Sequence, residues 1–221
     1  MDLTSWSWAF ILQQDGDVEL ADVELPAEWE EANWSHIVAQ VVADTVESSW
    51  TCRKYVVLIS GLPGAGKSAL SEVLAREFRE ALREKPNKDG SSRLVRVCSS
   101  SFDEVHAVCA ATRDPTPATF AEKDIAFSLQ AADVVIIDEM NLTESERKPI
   151  LDTVTTQLSD MKCDGEVCMV KLSCRDESHA FEFYTRSWRS LSDDELRARF
   201  QKYVADSSED MTNVYTVDPN I

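Results

Sequence analysis

The first fifty residues contain no lysine and no arginine but eleven acids, and the whole 221-residue chain sets 22 basic against 40 acidic side chains. A net charge of −18 and a pI near 4.5 argue against extended nucleic-acid binding, because the phosphates would repel the surface. An anionic membrane face is disfavoured for the same reason. No apolar run approaches the roughly 20 residues a spanning helix needs. The start, Met1 to Leu12, lacks the basic stretch of a secretory leader. The six cysteines (Cys52, Cys98, Cys109, Cys163, Cys168, Cys174) form no C-x-x-C pair, and the last three are spaced too loosely for the usual zinc sites. Cys98 and Cys168 fall in apolar, strand-like runs, where the thiol acts as a small hydrophobe. These absences predict reduced thiols in a cytoplasmic or nuclear protein without a membrane segment.

What is present suits a folded chain. At 24.8 kDa, 43% hydrophobic and 28% charged, the composition fits one domain with an elaboration. The elaboration is residues 1–50, which hold five of the six tryptophans (Trp6, Trp8, Trp29, Trp34, Trp50) besides the eleven acids. Setting those acids aside leaves 29 acidic against 22 basic side chains, or −7, for residues 51–221. A compositional boundary therefore falls near Thr51. Alternating Trp6, Trp8, Phe10 and Leu12 predict a half-buried strand. Trp34, Ile37, Val38, Val41, Val42 and Val46 recur at helical spacing. The segment reads as a strand-plus-helix extension packing on the main domain. The alternative is an acidic, Trp-rich docking element for a basic protein partner.

Tyr55–Ser60 is a β-branched apolar run that predicts a buried strand. Gly61 to Ser68 then satisfies G-x-x-x-x-G-K-[ST], and residues 69–83 predict an amphipathic helix. Glycines let successive N–H groups converge on phosphate oxygens, and the helix N-terminus adds a favourable field. In that frame Gly61, Gly64, Ala65 and Gly66 cradle a nucleotide's phosphates. Lys67 spans the β- and γ-phosphates, and the Ser68 hydroxyl ligates Mg²⁺.

A second strand, Leu94–Cys98, leads to Asp103 and His106. Ligands of doubly wound sheets sit beyond the carboxyl ends of strands, which is where Asp103 falls. Arg113, in the Pro-flanked stretch 110–117, is a candidate for the border of an acceptor site, as is His106. A third strand, Asp133–Ile137, ends in Asp138 and Glu139, and an acid there can meet Mg²⁺ directly or through its waters. Thr143 and Glu146 have capping-box spacing and open a helix through Met161. Asp164 and Gly165 predict a turn into a fourth strand, Glu166–Ser173. A helical stretch carrying Arg186 and Arg189 follows. Ser192 and Glu195 form another capping box opening a helix to Val204, and Asn213–Val217 is a last strand. This alternation predicts an α/β fold, a parallel sheet flanked by helices.

The phosphate loop, Asp103 after the second strand, and the run Asp138, Glu139, Met140, Asn141 with Arg147 six residues beyond resemble the polynucleotide 5′-hydroxyl kinase group of P-loop phosphotransferases. That group includes the zeta-toxin kinases and seryl-tRNA kinase-like proteins. The resemblance spans about residues 53–221 and implies a P-loop NTPase fold, with ATP or GTP as phosphoryl donor and Mg²⁺ as cofactor. It further implies Asp103 as general base and Arg186 and Arg189 as lid arginines over the phosphates, with Asn141 and Arg147 near the site. The acceptor would be a hydroxyl of a small molecule, a nucleotide derivative or a nucleic-acid end. Two positions depart. His106 stands where polynucleotide members place an arginine that grips the acceptor's phosphate, and Asp-Glu-Met-Asn replaces the usual Asp-Asn-Thr-Asn. The second departure admits a rival reading, a P-loop ATPase of assembly or remodelling type in which Glu139 polarises water.

Overall fold

The apolar run at residues 55–60 and the acid-terminated run before Glu139 become two neighbouring strands in the computed structural model, which describes residues 34–47, 53–83, 85, 92–98, 117–185 and 191–219. These strands are β1 (Arg53–Ser60) and β3 (Val134–Asp138), paired in parallel with Ile59 opposite Asp138. With β2 (Val95–Cys98), β4 (Asp164–Leu172) and β5 (Asn213–Val217) they form an all-parallel sheet of order β2-β3-β1-β4-β5. The fold is α/β, as the alternation of elements predicts. β1 lies in the middle, and every strand ends at one edge, the edge where ligands of such sheets bind.

Helices cover both faces. Val56, Leu58, Val135, Ile137 and Met169 form one face's core with Ile125 and Leu129 of α3 (Pro117–Ala131) and Val154 of α4 (Glu144–Met161). Strand alternation sends Val57, Ile59, Val134, Ile136 and Val170 to the other face, each at most 1% exposed. There α2 (Lys67–Arg83) buries Leu70, Leu74, Phe78 and Leu82. The predicted N-terminal helix is α1 (Trp34–Glu47), which buries Val38, Val41, Val42 and Val46 and packs on α2 and β5. The Tyr215 hydroxyl donates to Asp44 Oδ2 at 2.7 Å and fixes it. The chain divides into two compact units, Met1–Glu31 and Ala32–Ile221, and α1 belongs to the second. The strand expected around Trp6–Leu12 lies outside the described residues.

The Asp164-Gly165 turn is not where the sequence puts it. The chain turns at Lys162, which caps α4 in the left-handed region (φ 51°), and Asp164 and Gly165 already pair with Arg53 and Lys54 as the start of β4. Gly165 serves close packing instead: a Cβ there would sit 2.2 Å from Leu158 Cδ1. Cys98 and Cys168 are buried thiols, and burial pushes both up to about 12. No helix among the described residues is long and apolar enough to cross a membrane. The last elements are α5 (Glu177–Thr185) and α6 (Asp193–Ala205), between β4 and β5.

Candidate nucleotide site

β1 ends at Ser60, and the chain bends through Gly61–Gly66 before α2 starts at Lys67. Gly64 (φ 77°) and Gly66 (φ 91°) take left-handed conformations that only glycine adopts cheaply. Gly64 is further required by space, since a Cβ would lie 1.8 Å from the Phe183 carbonyl oxygen of α5. Leu62 and Ala65 turn inward and are buried, which anchors the loop. Ala65 N–H donates to Leu62 O (3.2 Å) and Leu70 N–H to Gly66 O (2.9 Å). Lys67 Nζ folds over the loop to donate to Leu62 O at 3.0 Å, and Ser68 is exposed in the first turn of α2. This is a backbone cradle at a helix N-terminus with one cation inside it, the arrangement that binds polyphosphate.

The acid-bearing loop after β3 is stitched to the stem of the cradle. Gly61 N–H donates to Met140 O (3.1 Å), Ser60 Oγ to Asn141 O (3.0 Å), and Asn141 Nδ2 to Ile59 O (2.8 Å). Asn141 is 3% exposed and left-handed (φ 47°), a conformation a non-glycine residue keeps only when its surroundings over-determine it. Asp138, buried to 8% exposure, is thereby held across from Ile59 at the mouth of the cradle, with half-buried Glu139 next to it.

Asn141 is a structural tie, and Arg147 is as well. Arg147 is 0% exposed and uses all five N–H donors. Nε reaches Asp210 Oδ2 at 2.8 Å, Nη1 reaches Asn141 O at 3.0 Å and Asp206 Oδ2 at 3.1 Å, and Nη2 reaches Asp206 Oδ1 at 2.8 Å and Asp210 Oδ1. It has no donor left to offer a substrate, so its place is behind Asn141. Burial works against its charge, but the bonds to Asp210 and Asp206 prevail and hold its pKa above the ordinary arginine value. Burial would raise Asp206, yet hydrogen bonds from Arg147 and Ser208 hold it below the carboxylate range. The Arg147 hydrogen bond holds Asp210 low. Lys171 Nζ, 3.5 Å from Asp206 Oδ2, balances the group at two cations and two anions.

α5 and α6 close the third side. Phe183 lies against Gly64, and the Tyr184 hydroxyl donates to Leu191 O (2.8 Å) and accepts from Leu191 N–H. Tyr184 and Leu191 are thus held together, with Phe183 beside Gly64. Arg186 and Arg189 themselves lie outside the described residues, as do Asp103, His106 and Arg113. The helix described there ends at Thr185. A cation that sequence reasoning passed over is Arg199 of α6, whose Nη1 lies 2.6 Å from Met140 Sδ. A thioether is a weak acceptor, and this is Arg199's one hydrogen bond among the described residues. Its neighbour Arg197 instead points out, to Glu177 (2.9 Å) and Asp194 (3.5 Å). Periodicity held the signal: Arg199 falls three residues after Leu196 and four before Tyr203, both on the buried stripe of α6.

Among the described residues no three or more His, Cys, Asp or Glu side chains gather into a metal cage. One buried carboxylate, Asp138, and one hydroxyl, Ser68, are all-oxygen donors of the kind Mg²⁺ uses when it arrives on a nucleotide and keeps its waters. The residues present fit that ion.

No protein-family model matches the chain, and no curated protein matches it. Among solved structures, it is similar to Kti12 of Chaetomium thermophilum in complex with ADP-AlF3, at 15% identity and TM-score 0.46, over 74% of this chain and 88% of that one. It is similar to a gluconokinase of Sinorhizobium meliloti 1021 at 14% identity and TM-score 0.45, over 77% and 84%. It is also similar to shikimate kinase of Acinetobacter baumannii in complex with shikimate, at 13% and 0.45, over 81% and 88%. At this distance the likeness carries no functional argument.

Proposed function

We propose that the chain is a P-loop phosphotransferase that moves the γ-phosphoryl group of ATP or GTP to a hydroxyl of a small molecule, a nucleotide derivative or a nucleic-acid end. The observation that carries this reading is the cation inside the same compact unit as the cradle: α6 brings Arg199 against Met140, whose carbonyl receives Gly61 N–H. Phosphoryl transfer asks for positioning and charge stabilisation more than covalent chemistry. The cradle and Lys67 hold the β- and γ-phosphates, while Ser68 and Asp138 would hold Mg²⁺. Bound there, the ion neutralises phosphate charge. Arg199, joined by Arg186 and Arg189, answers the charge that develops on the moving group. Asp103 takes the proton of the acceptor hydroxyl as its oxygen bonds to the γ-phosphorus and the bond to the bridging oxygen breaks, releasing the nucleoside diphosphate. The chain's acidity favours a small acceptor or one nucleic-acid end over a long polynucleotide track.

The rival reading, an ATPase, is favoured by one feature: Glu139 directly follows Asp138 and is half-buried. The two separate by exchanging carboxylates. For a kinase, Asp103→Asn lowers transfer by roughly 10²–10⁴-fold and spares nucleotide binding, whereas Glu139→Gln is mild. For an ATPase the order reverses. The measurement is turnover of γ-labelled ATP with water alone and with a panel of 5′-hydroxyl oligonucleotides, nucleosides and nucleotide sugars. A dead Glu139→Gln beside an active Asp103→Asn in both conditions overturns the kinase.

A further inference from the structure

Arg147 ties together two parts of the chain that meet at the ligand edge. Four of its five hydrogen bonds join it to Asp206 and Asp210, in the connection that runs from the end of α6 to β5. The fifth goes to the carbonyl of Asn141, three residues beyond Asp138. That carbonyl also accepts from Ser60 Oγ, so two donors, one from each side, fix the residue whose left-handed backbone turns the chain away from Asp138. Asp206 is the residue at which α6 ends, and Lys202 of the same helix reaches Glu146 Oε1 at 3.4 Å. The helix that carries Arg199 and the loop that carries Asp138 therefore share one rigid, fully neutralised joint.

We infer that Arg147 is a positioning residue that sets the geometry of Asp138 toward Mg²⁺ through Asn141, resting on the phosphotransferase reading of the site. It touches neither nucleotide nor metal. Its guanidinium holds the Asn141 carbonyl, the carbonyl holds the left-handed turn, and the turn sets where the Asp138 carboxylate points. A purely structural Arg147 would lower stability and leave metal use untouched. A positioning Arg147 makes the metal's contribution to nucleotide binding depend on it, as contacts behind a metal ligand commonly do, by roughly 10–100-fold.

The test uses the full chain and ADP, titrated by calorimetry in excess Mg²⁺ and again in EDTA. The ratio of the two dissociation constants reports the metal's share, while the EDTA value reports the cradle and Lys67. In Arg147→Lys the ratio should fall by about 10-fold or more with the EDTA value unchanged, because lysine keeps the charge but cannot span Asn141, Asp206 and Asp210 together. Should that variant fail to fold, Asp210→Asn weakens the same guanidinium from its more exposed side and is expected to move the ratio in the same direction. An unchanged ratio in the folded variants overturns the inference and leaves the nucleotide site standing. A wild-type chain that binds ADP in neither condition overturns the nucleotide reading itself, before any variant is made.

Discussion

Between β1 and β3 the ligand edge of the sheet is held by neutral hydrogen bonds, Gly61 N–H to Met140 O and Asn141 Nδ2 to Ile59 O. Between β4 and β5 it is held by charge, with Lys171 and Arg147 on Asp206 and Asp210. On the neutral side Lys67 folds over the loop to Leu62 O and Arg199 meets the Met140 thioether, so neither hydrogen bond there is to a carboxylate. The charged side spends its cations on Asp206 and Asp210 and on the carbonyls and hydroxyl around them, and so contributes an anchor. In a chain of net charge −18, the cations near the site divide into those bonded to carboxylates, Arg147 and Lys171, and those whose hydrogen bonds go elsewhere, Lys67 and Arg199, and the proposed function assigns phosphate to the second group.

Lys67→Ala breaks the comparison most sharply. On the proposed reading Lys67 serves phosphate, and its bond to Leu62 O is one contact of a loop anchored by buried Leu62 and Ala65, so its loss should abolish nucleotide-dependent stabilisation and lower the melting temperature without nucleotide only slightly. Thermal melts with and without Mg·ATP check it; a variant stabilised as strongly as wild type would remove the cradle assignment.

Arg147→Met should do the reverse. It strands the buried Asp206 carboxylate and the partly exposed Asp210, and since removing one partner of a buried pair costs about 3–5 kcal/mol, the loss should approach the lower end of that range, read by chemical denaturation. The pH dependence follows the carboxylates. Asp206 and Asp210 are held low in the folded chain, so their contribution is complete above the ordinary aspartate value of about 3.9 and is lost as pH falls through the depressed native values. Acid unfolding should therefore be shallower below about pH 4 in Asp206→Asn/Asp210→Asn than in wild type. Identical acid limbs would mean the network contributes nothing.

This division also explains what the sequence made legible. The cradle is encoded in backbone conformation, and Gly64 and Gly66 announce it. Asp138 announces itself as an acid ending an apolar run, and α1 by its valine stripe. Arg147 could be found by its spacing from Asn141, but its employment could not, because its carboxylates lie 59 and 63 residues downstream. Gly165 misleads for a related reason: beside an aspartate it looks like a turn, yet it answers the approach of Leu158. The Thr143/Glu146 pair is half legible. Thr143 Oγ1 caps Glu146 N–H as expected, while the Glu146 carboxylate takes Leu142 N–H instead of closing the box.

Arg199→Ala sharpens the comparison from the ligand side. Since Arg199's partner is a thioether, removing it strands no buried charge, and stability should change little. If it answers charge developing in transfer, kcat should fall on the order of 10²-fold while nucleotide affinity holds, because an interaction made in the transition state lowers kcat. Equal losses in affinity and kcat would assign it to ground-state binding. No loss in either would return it to the surface.

The smallest expected effect comes from the opposite end of α6. Ser192 caps the helix with a complete capping box, its Oγ accepting from Glu195 N–H while Glu195 Oε2 accepts from Ser192 N–H at 2.8 Å. Glu195 is exposed and is held below its ordinary value by its bonds to Ser192. Ser192→Ala removes one such bond and should cost about 1 kcal/mol of stability. The question is whether it also costs turnover. The far end of α6 is fastened by Asp206 to Arg147, and Lys202 to Glu146 adds a second tie. Fraying at the first turn should therefore stop short of Arg199, which lies between those ties and the cap. The expected result is a modest drop in melting temperature with kcat unchanged, measured on the same preparation as Arg199→Ala. If Ser192→Ala lowers kcat as far as Arg199→Ala does, α6 is not held from its carboxyl end, and the charged joint would not be what places Arg199.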